Sequence, residues 1–242
     1  MAVEKTSGKT DQLVEKLKAA LGADLVSVVL YGSAASGDYH PRFSDLNVFC
    51  VLARLAPEQL AKSEPVVRWW QGQGNPSPLM LTEHEVVTST DCFPIEFQDM
   101  KRHHRLLFGR DVVSGLEIDG RFYRAQVECE LRSKLLRLRQ KAAAVLSDKD
   151  VLRRLMVDSL SSFCVLIRHS LILAGGEGDG RKRDVIERAG GHFGLNPGPF
   201  LTLLDLREER VKPKEVDPGP LLAAYLNEIG KVIDAVDALE HA

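Results

Sequence analysis

Apolar residues recur at helical spacing from Asp11 to Leu21, where Leu13, Val14, Leu17, Ala20 and Leu21 share a face and Gly22 can end the run. The pattern then shortens. Leu25 to Tyr31 is a brief Val-rich run between Gly22 and Gly32 and predicts a buried strand. Gly32 to Phe43 predicts a loop from its glycines, serines and Pro41, and Leu46 to Leu52 predicts a second strand. Pro57 to Trp70 predicts a helix that Pro65 breaks or kinks. Pro78 to Leu81 is a brief strand candidate, and Thr82-Glu83-His84-Glu85 fits a capping box that opens a short helix. Pro94 to Phe97 predicts a further strand, after which Asp99 to Phe108 returns to helical spacing.

The character changes after about residue 118. Arg121 to Leu146 and Asp150 to Leu173 are long amphipathic patterns, set off from Asp184 to Ala189 by a glycine-rich linker, Gly175 to Gly180. Phe200 to Glu209 and Leu221 to Leu239 predict two more helices, divided by the Pro-rich segment Pro213 to Pro220. Strands alternating with helices, then helices alone, predict an α+β chain. Its expected parts are an α/β-like mixed-sheet domain over residues 1–118 and an all-α helical bundle over 119–242.

Composition changes this picture little. With 242 residues, 44% of them hydrophobic and 27% charged, the chain can bury a sizeable core without disulfides or metals. Lys and Arg number 32 against 34 Asp and Glu, so the charge of -2 gives no global reason to expect a nucleic-acid or membrane partner. The four cysteines are isolated in apolar settings and read as small buried hydrophobes. The opening MAVEKTSGKTDQ lacks the apolar core of a signal peptide. Phe163 to Ala174 is too short for a bilayer and contains Arg168 and His169, so a cytoplasmic protein with no membrane partner is expected. The long amphipathic helices permit a homodimer.

The candidate chemistry lies where the first predicted strand ends. Tyr31-Gly32-Ser33 is followed, after eleven intervening residues, by Asp45-Leu46-Asn47-Val48. Strand side chains alternate, so Asp45 and Asn47 are expected on one side while Leu46 and Val48 enter the core. Two oxygen donors converging there suit a hard cation such as Mg²⁺, which also takes oxygens from phosphates. Gly32 permits close approach of the backbone to a phosphate, and Ser33 adds a hydroxyl and an N–H. Glu96, between apolar neighbours in the strand candidate that Pro94 begins, is a further metal-ligand candidate because an unpaired buried carboxylate is costly.

An apolar strand, Gly-Ser, a spacer of about a dozen residues and Asp-x-Asp/Glu on the next strand make up a known pattern. Over Leu25 to Val113 the chain resembles the polymerase-beta-type nucleotidyltransferase superfamily. It looks most like small bacterial members with a helical C-terminal half, similar to the aminoglycoside nucleotidyltransferases. The resemblance implies transfer of a nucleoside monophosphate from an NTP such as ATP to an acceptor hydroxyl, on a small molecule or a protein, with Mg or Mn required. It assigns the triphosphate to Gly32 and Ser33 and metal to Asp45, with Glu96 as the third carboxylate, binding metal or acting as general base.

One position departs from the pattern: Asn47 stands where the second carboxylate is expected. Its amide oxygen can still coordinate a cation but carries no charge, in a mechanism whose two metals lie about 3.5–4 Å apart. Asn47 is therefore either a residual ligand or a hydrogen-bonding structural residue. In the second case the chain is a catalytically impaired nucleotide- or partner-binding module. Asp45 can instead be a strand-start cap, and Glu96 can pair with an arginine. Arg42, in the loop before Asp45, either reaches a phosphate or is solvated. The run Arg132, Lys134, Arg137, Arg139 and Lys141 on the first long helix of the second half is either a solvated face or an anion site.

Overall fold

A computed structural model describes residues 2–36, 45–118 and 120–239 of the chain, with the side chains of its first few residues excepted. It divides into two compact units, Met1–Arg121 and Phe122–Ala242.

In the first unit, α1 (Ala2–Leu21) leads through a 3-10 turn into β1 (Leu25–Tyr31). The one-turn α2 (Ser33–Ser36), β2 (Asn47–Leu52), α3 (Pro57–Gly72) and β3 (Leu79–Thr82) follow. Then come α4 (Glu83–Thr88), α5 (Pro94–Arg102) and β4 (His104–Gly109). The strands form one mixed sheet in the order β3-β2-β1-β4. β1 runs antiparallel to both β2 and β4, and β2 runs parallel to β3.

Period-two alternation sorts the sheet residues onto two faces. Val28 and Leu30 of β1 and Val48, Cys50 and Leu52 of β2 join Leu13, Leu17 and Leu21 of α1 and Val66 and Trp70 of α3. Val29, Phe49 and Val51 face the other way, onto Val86 of α4 and Phe97 and Met100 of α5. Phe49 and Phe97 meet edge to face at 6.4 Å. The sheet is thus covered on both sides, which explains why its central strands read as nearly unbroken apolar runs.

Several local expectations hold. The Thr82 hydroxyl accepts the Glu85 N–H at 3.2 Å, and the Glu85 carboxylate accepts the Thr82 N–H at 2.7 Å, closing the capping box. Others are corrected. α3 continues through Pro65 to Gly72 as one helix. Residues from Pro94 form a helix rather than a strand: proline suits the first helical position, and Phe97 and Met100, three apart, fall on one buried face. His104 to Phe108, expected as helix, belongs to the edge strand β4 (His104–Gly109). Of the four cysteines, all free, only Cys50 and Cys164 are buried, while Cys92 and Cys129 are exposed.

The turn after β4 is held by Asp111. Its carboxylate accepts the N–H groups of Val113 and Ser114 at 2.9 and 3.0 Å, the Ser114 hydroxyl at 2.5 Å and His104 Nε2 at 3.1 Å. Burial raises the pKa of this carboxyl, but those hydrogen bonds outweigh it and hold the group well below the usual carboxylate range. A depressed folded pKa stabilises the protein above the unfolded value, about 3.9, and the contribution is lost as pH falls through the folded value. Asp111→Ala is therefore expected to cost about 1 kcal/mol at neutral pH, a difference that shrinks below about pH 4. Urea unfolding from pH 7 to pH 3 checks this; a difference that ignores pH would remove the charge from the explanation.

The second unit is helical: α6 (Tyr123–Ala143), α7 (Lys149–Leu173), α8 (Lys182–Phe193), α9 (Gly198–Arg207) and α10 (Pro218–Ala238). Asp148 caps α7 through the N–H groups of Asp150 and Val151. α7 is long and apolar enough to cross a bilayer by composition, but more than half of that window is buried inside the unit. It packs against each of the other four helices. Its Phe163 meets Tyr225 of α10 edge to face at 5.8 Å, and Tyr225 meets Phe200 of α9 at 5.1 Å. His169, buried on α7, is hydrogen-bonded through Nδ1 to the Tyr123 hydroxyl at 2.5 Å, which accounts for a polar ring in an apolar interior.

Candidate functional site

The antiparallel register of β1 and β2 pairs Tyr31 with Asn47. The last residue of one strand therefore lies beside the first residue of the next, and the Gly-Ser turn leaves the sheet next to Asn47. Gly32 has φ +74°, the left-handed region that glycine enters without a Cβ penalty. The Ala35 N–H donates to the Gly32 carbonyl at 2.9 Å and starts the single turn of α2. A Cβ on Gly32 would stand 3.0 Å from Asn47 Nδ2. The Asn47 amide thus packs over the bare Gly32, and Ser33 follows as the first residue of α2.

Leu46 is buried and Asn47 half-buried, while Asp45 is exposed and lies outside the hydrogen-bonded ladder. Asp45 has no hydrogen bond or ion pair among the described residues. Arg42 lies outside the described residues. The segment leading into β2 is held by a residue that gave no sign of this role in the sequence: Asn75 Oδ1 accepts the Leu46 N–H at 3.3 Å. Asn75 is visible in the sequence only as part of a Gly-Asn-Pro turn. A contact across 29 positions leaves no local signal.

Glu96 needs a correction. It lies in the first turn of helix α5 and is exposed, so burial cannot be the reason for it to bind metal. It is nonetheless near the same end of the sheet. The Tyr31 phenol is pushed above its usual pKa first by burial and then by the charge of Glu96. Alternation places Tyr31 and Asn47 with Val29 and Phe49, toward the α4–α5 side. Glu96 and Asn47 are therefore on one side of the sheet, with Tyr31 common to both neighbourhoods.

Among the described residues, no group of three or more His, Cys, Asp or Glu side chains is placed to hold a metal ion. The donors at hand are the Asp45 carboxylate and the Asn47 amide oxygen. That set fits one hard cation whose remaining oxygens come from a triphosphate; it does not fit a pair.

No protein-family model and no curated protein matches the chain. Among solved structures, the spectinomycin adenyltransferase AAD(9) from Enterococcus faecialis, crystallised with ATP and spectinomycin, superposes with a TM-score of 0.61. The match covers 95% of this chain and 98% of that one at 12% identity. A toxin-antitoxin structure with AMP-PNP matches only loosely, at TM-score 0.30 and 18% identity over 42% of this chain and 74% of that one, and bears no weight. At such identities the likeness concerns the fold, and it extends through both units. The chain thus shares its fold with that adenyltransferase structure, an α+β unit followed along the chain by a helical one.

Proposed function

We propose that the protein is a nucleotidyltransferase that moves a nucleoside monophosphate from an NTP to an acceptor hydroxyl, with Mg²⁺ or Mn²⁺ bound at Asp45 and Asn47. The observation that carries this reading is the left-handed Gly32 with the Asn47 amide directly over it. It joins a glycine-serine turn suited to phosphate with the side chains that open the next strand. The fold likeness to an adenyltransferase supports the same reading.

In the proposed reaction the acceptor oxygen forms a bond to the α-phosphorus, the bond from that phosphorus to the bridging oxygen breaks, and pyrophosphate leaves. Gly32 lets the backbone approach the triphosphate, and Ser33 contributes its N–H and hydroxyl. Asp45 and Asn47 would hold the cation, whose charge would offset that of the phosphates. Glu96 takes the proton released by the acceptor hydroxyl. Most of the rate then comes from positioning and fixed electrostatics.

Calorimetric titration of the full chain with each of the four NTPs, with and without Mg²⁺ or Mn²⁺, tests the reading. Metal-dependent binding of at least one NTP is expected. Gly32→Ala, which forces a Cβ toward Asn47 at a left-handed φ, is expected to weaken it by about tenfold or more. No binding of any NTP to protein shown to be folded would sink the proposal.

A further inference from the structure

The helical unit contains a cavity of about 250 Å³ between α6 and α7, opening to solvent. Lys134, Arg137 and Lys141 line it from α6, at a spacing that puts all three on one face of that helix. Asp158 and Ser162 line it from α7, one turn apart. Leu138 and Phe163, both buried, form its apolar floor. Three cations and one carboxylate leave the cavity with a surplus of two positive charges in a chain whose overall charge is -2.

Lys134 is partly engaged, with its ammonium 3.4 Å from Glu130. Among the described residues, the side chains of Arg137, Lys141 and Asp158 form no ion pair or hydrogen bond. On the same helix Arg124 and Arg132 are both tied to Glu128, at 2.8 and 2.7 Å. Arg137 and Lys141 line a hollow with an apolar base.

We propose that this cavity binds a small organic phosphate that also carries an amine or hydroxyl donor. Arg137 and Lys141 take the phosphate by charge-assisted hydrogen bonds, the guanidinium presenting its N–H groups as a fork. Asp158 would repel a simple anion, so it selects a ligand whose other end donates a proton to it. The Ser162 hydroxyl lies one turn further along, and the floor of Leu138 and Phe163 accepts a ring or short hydrocarbon body. The site is independent of the transfer reaction proposed above and belongs to the helical unit alone.

Tyramine O-phosphate combines the three features, and calorimetric titration of the full chain with it, at low salt, is the test. Saturable binding is expected, weaker at raised ionic strength, together with weaker binding of phenyl phosphate and none of tyramine. Replacing the exposed Arg137 and Lys141 together by glutamine should weaken it by about tenfold or more, while Asp45→Ala should leave it unchanged. Inorganic phosphate binding as tightly as the probe would reduce the cavity to a charged patch. That result, retention of affinity in the paired variant, loss of it in Asp45→Ala, or no saturable binding would each overturn the proposal. Since NTP titration reads Asp45 and this titration reads Arg137 and Lys141, the two proposals fail separately.

Discussion

Gly109→Ala is expected to destabilise the first unit more than a methyl added at Gly32 or Gly74, by about 4 kcal/mol or more. Gly109 is the last residue of β4 and pairs with Ser27 of β1, with φ +79°. Left-handed backbone costs an ordinary residue about 1–2 kcal/mol. Steric overlap costs more. A Cβ on Gly109 would sit 2.0 Å from the carbonyl oxygen of Val26 and 3.2 Å from the Ser27 Cα. Both are backbone atoms of the central strand, so no rotamer change can relieve the overlap, and β4 must part from β1 or β1 must shift. Gly74→Ala separates the backbone cost from the overlap: its φ is +83°, but a Cβ there meets nothing within 4 Å. That variant should show the conformational cost alone. Both tryptophans, Trp69 and Trp70, lie at the end of α3 in this unit, so their fluorescence during denaturant unfolding reads its stability directly. A loss at Gly109 no larger than that at Gly74 would mean that β4 adjusts without cost.

Asp45→Ala is expected to lower the NTP-dependent transfer rate by about a hundredfold or more while leaving the fold intact. The side chain is exposed, precedes the ladder of β2 and has no structural partner among the described residues, so its removal takes away no packing or capping. Asp45→Asn, which keeps the shape and removes the charge, should fall nearly as far. With Asn47 already neutral, Asp45 is the one formal charge that this pair of strand-opening residues offers to a cation. Glu96→Gln is expected to lower turnover while sparing NTP binding, because the proposed role of Glu96 is toward the acceptor proton rather than the triphosphate. Pyrophosphate release with a panel of hydroxyl acceptors is the measurement. Undiminished turnover in Asp45→Ala would remove this carboxylate from the mechanism.

What could be read along the chain were features whose cause is local. The helical period of α1, α6, α7 and α10, the Thr82–Glu85 capping box and the two apolar runs of β1 and β2 each express a preference satisfied within a few residues. The Gly-Ser turn was legible for the same reason, since the left-handed conformation of Gly32 is a short-range property. The segment from Pro94 to Gly109 was not. Read alone, Ile95-Glu96-Phe97 alternates like a strand, and the proline that starts a helix there is equally at home at a strand edge.

Only the tertiary structure decided the rest. His104 to Gly109 becomes a strand because β1 has a free edge that can satisfy its backbone groups, and as an edge strand it keeps Leu106 partly in solvent, which blurs the alternation that would have revealed it. The two faces of the sheet acquire different helices, and that choice brings Glu96 to the side of Tyr31 and Asn47. Asn75 reaches Leu46 across 29 positions. Lys134, Arg137 and Lys141, part of a run that along the chain reads as either a solvated face or an anion site, border a hollow against α7. Each of these depends on which surfaces meet. Such pairings minimise exposed apolar area and unpaired backbone over the whole domain, a condition that no short window of sequence contains.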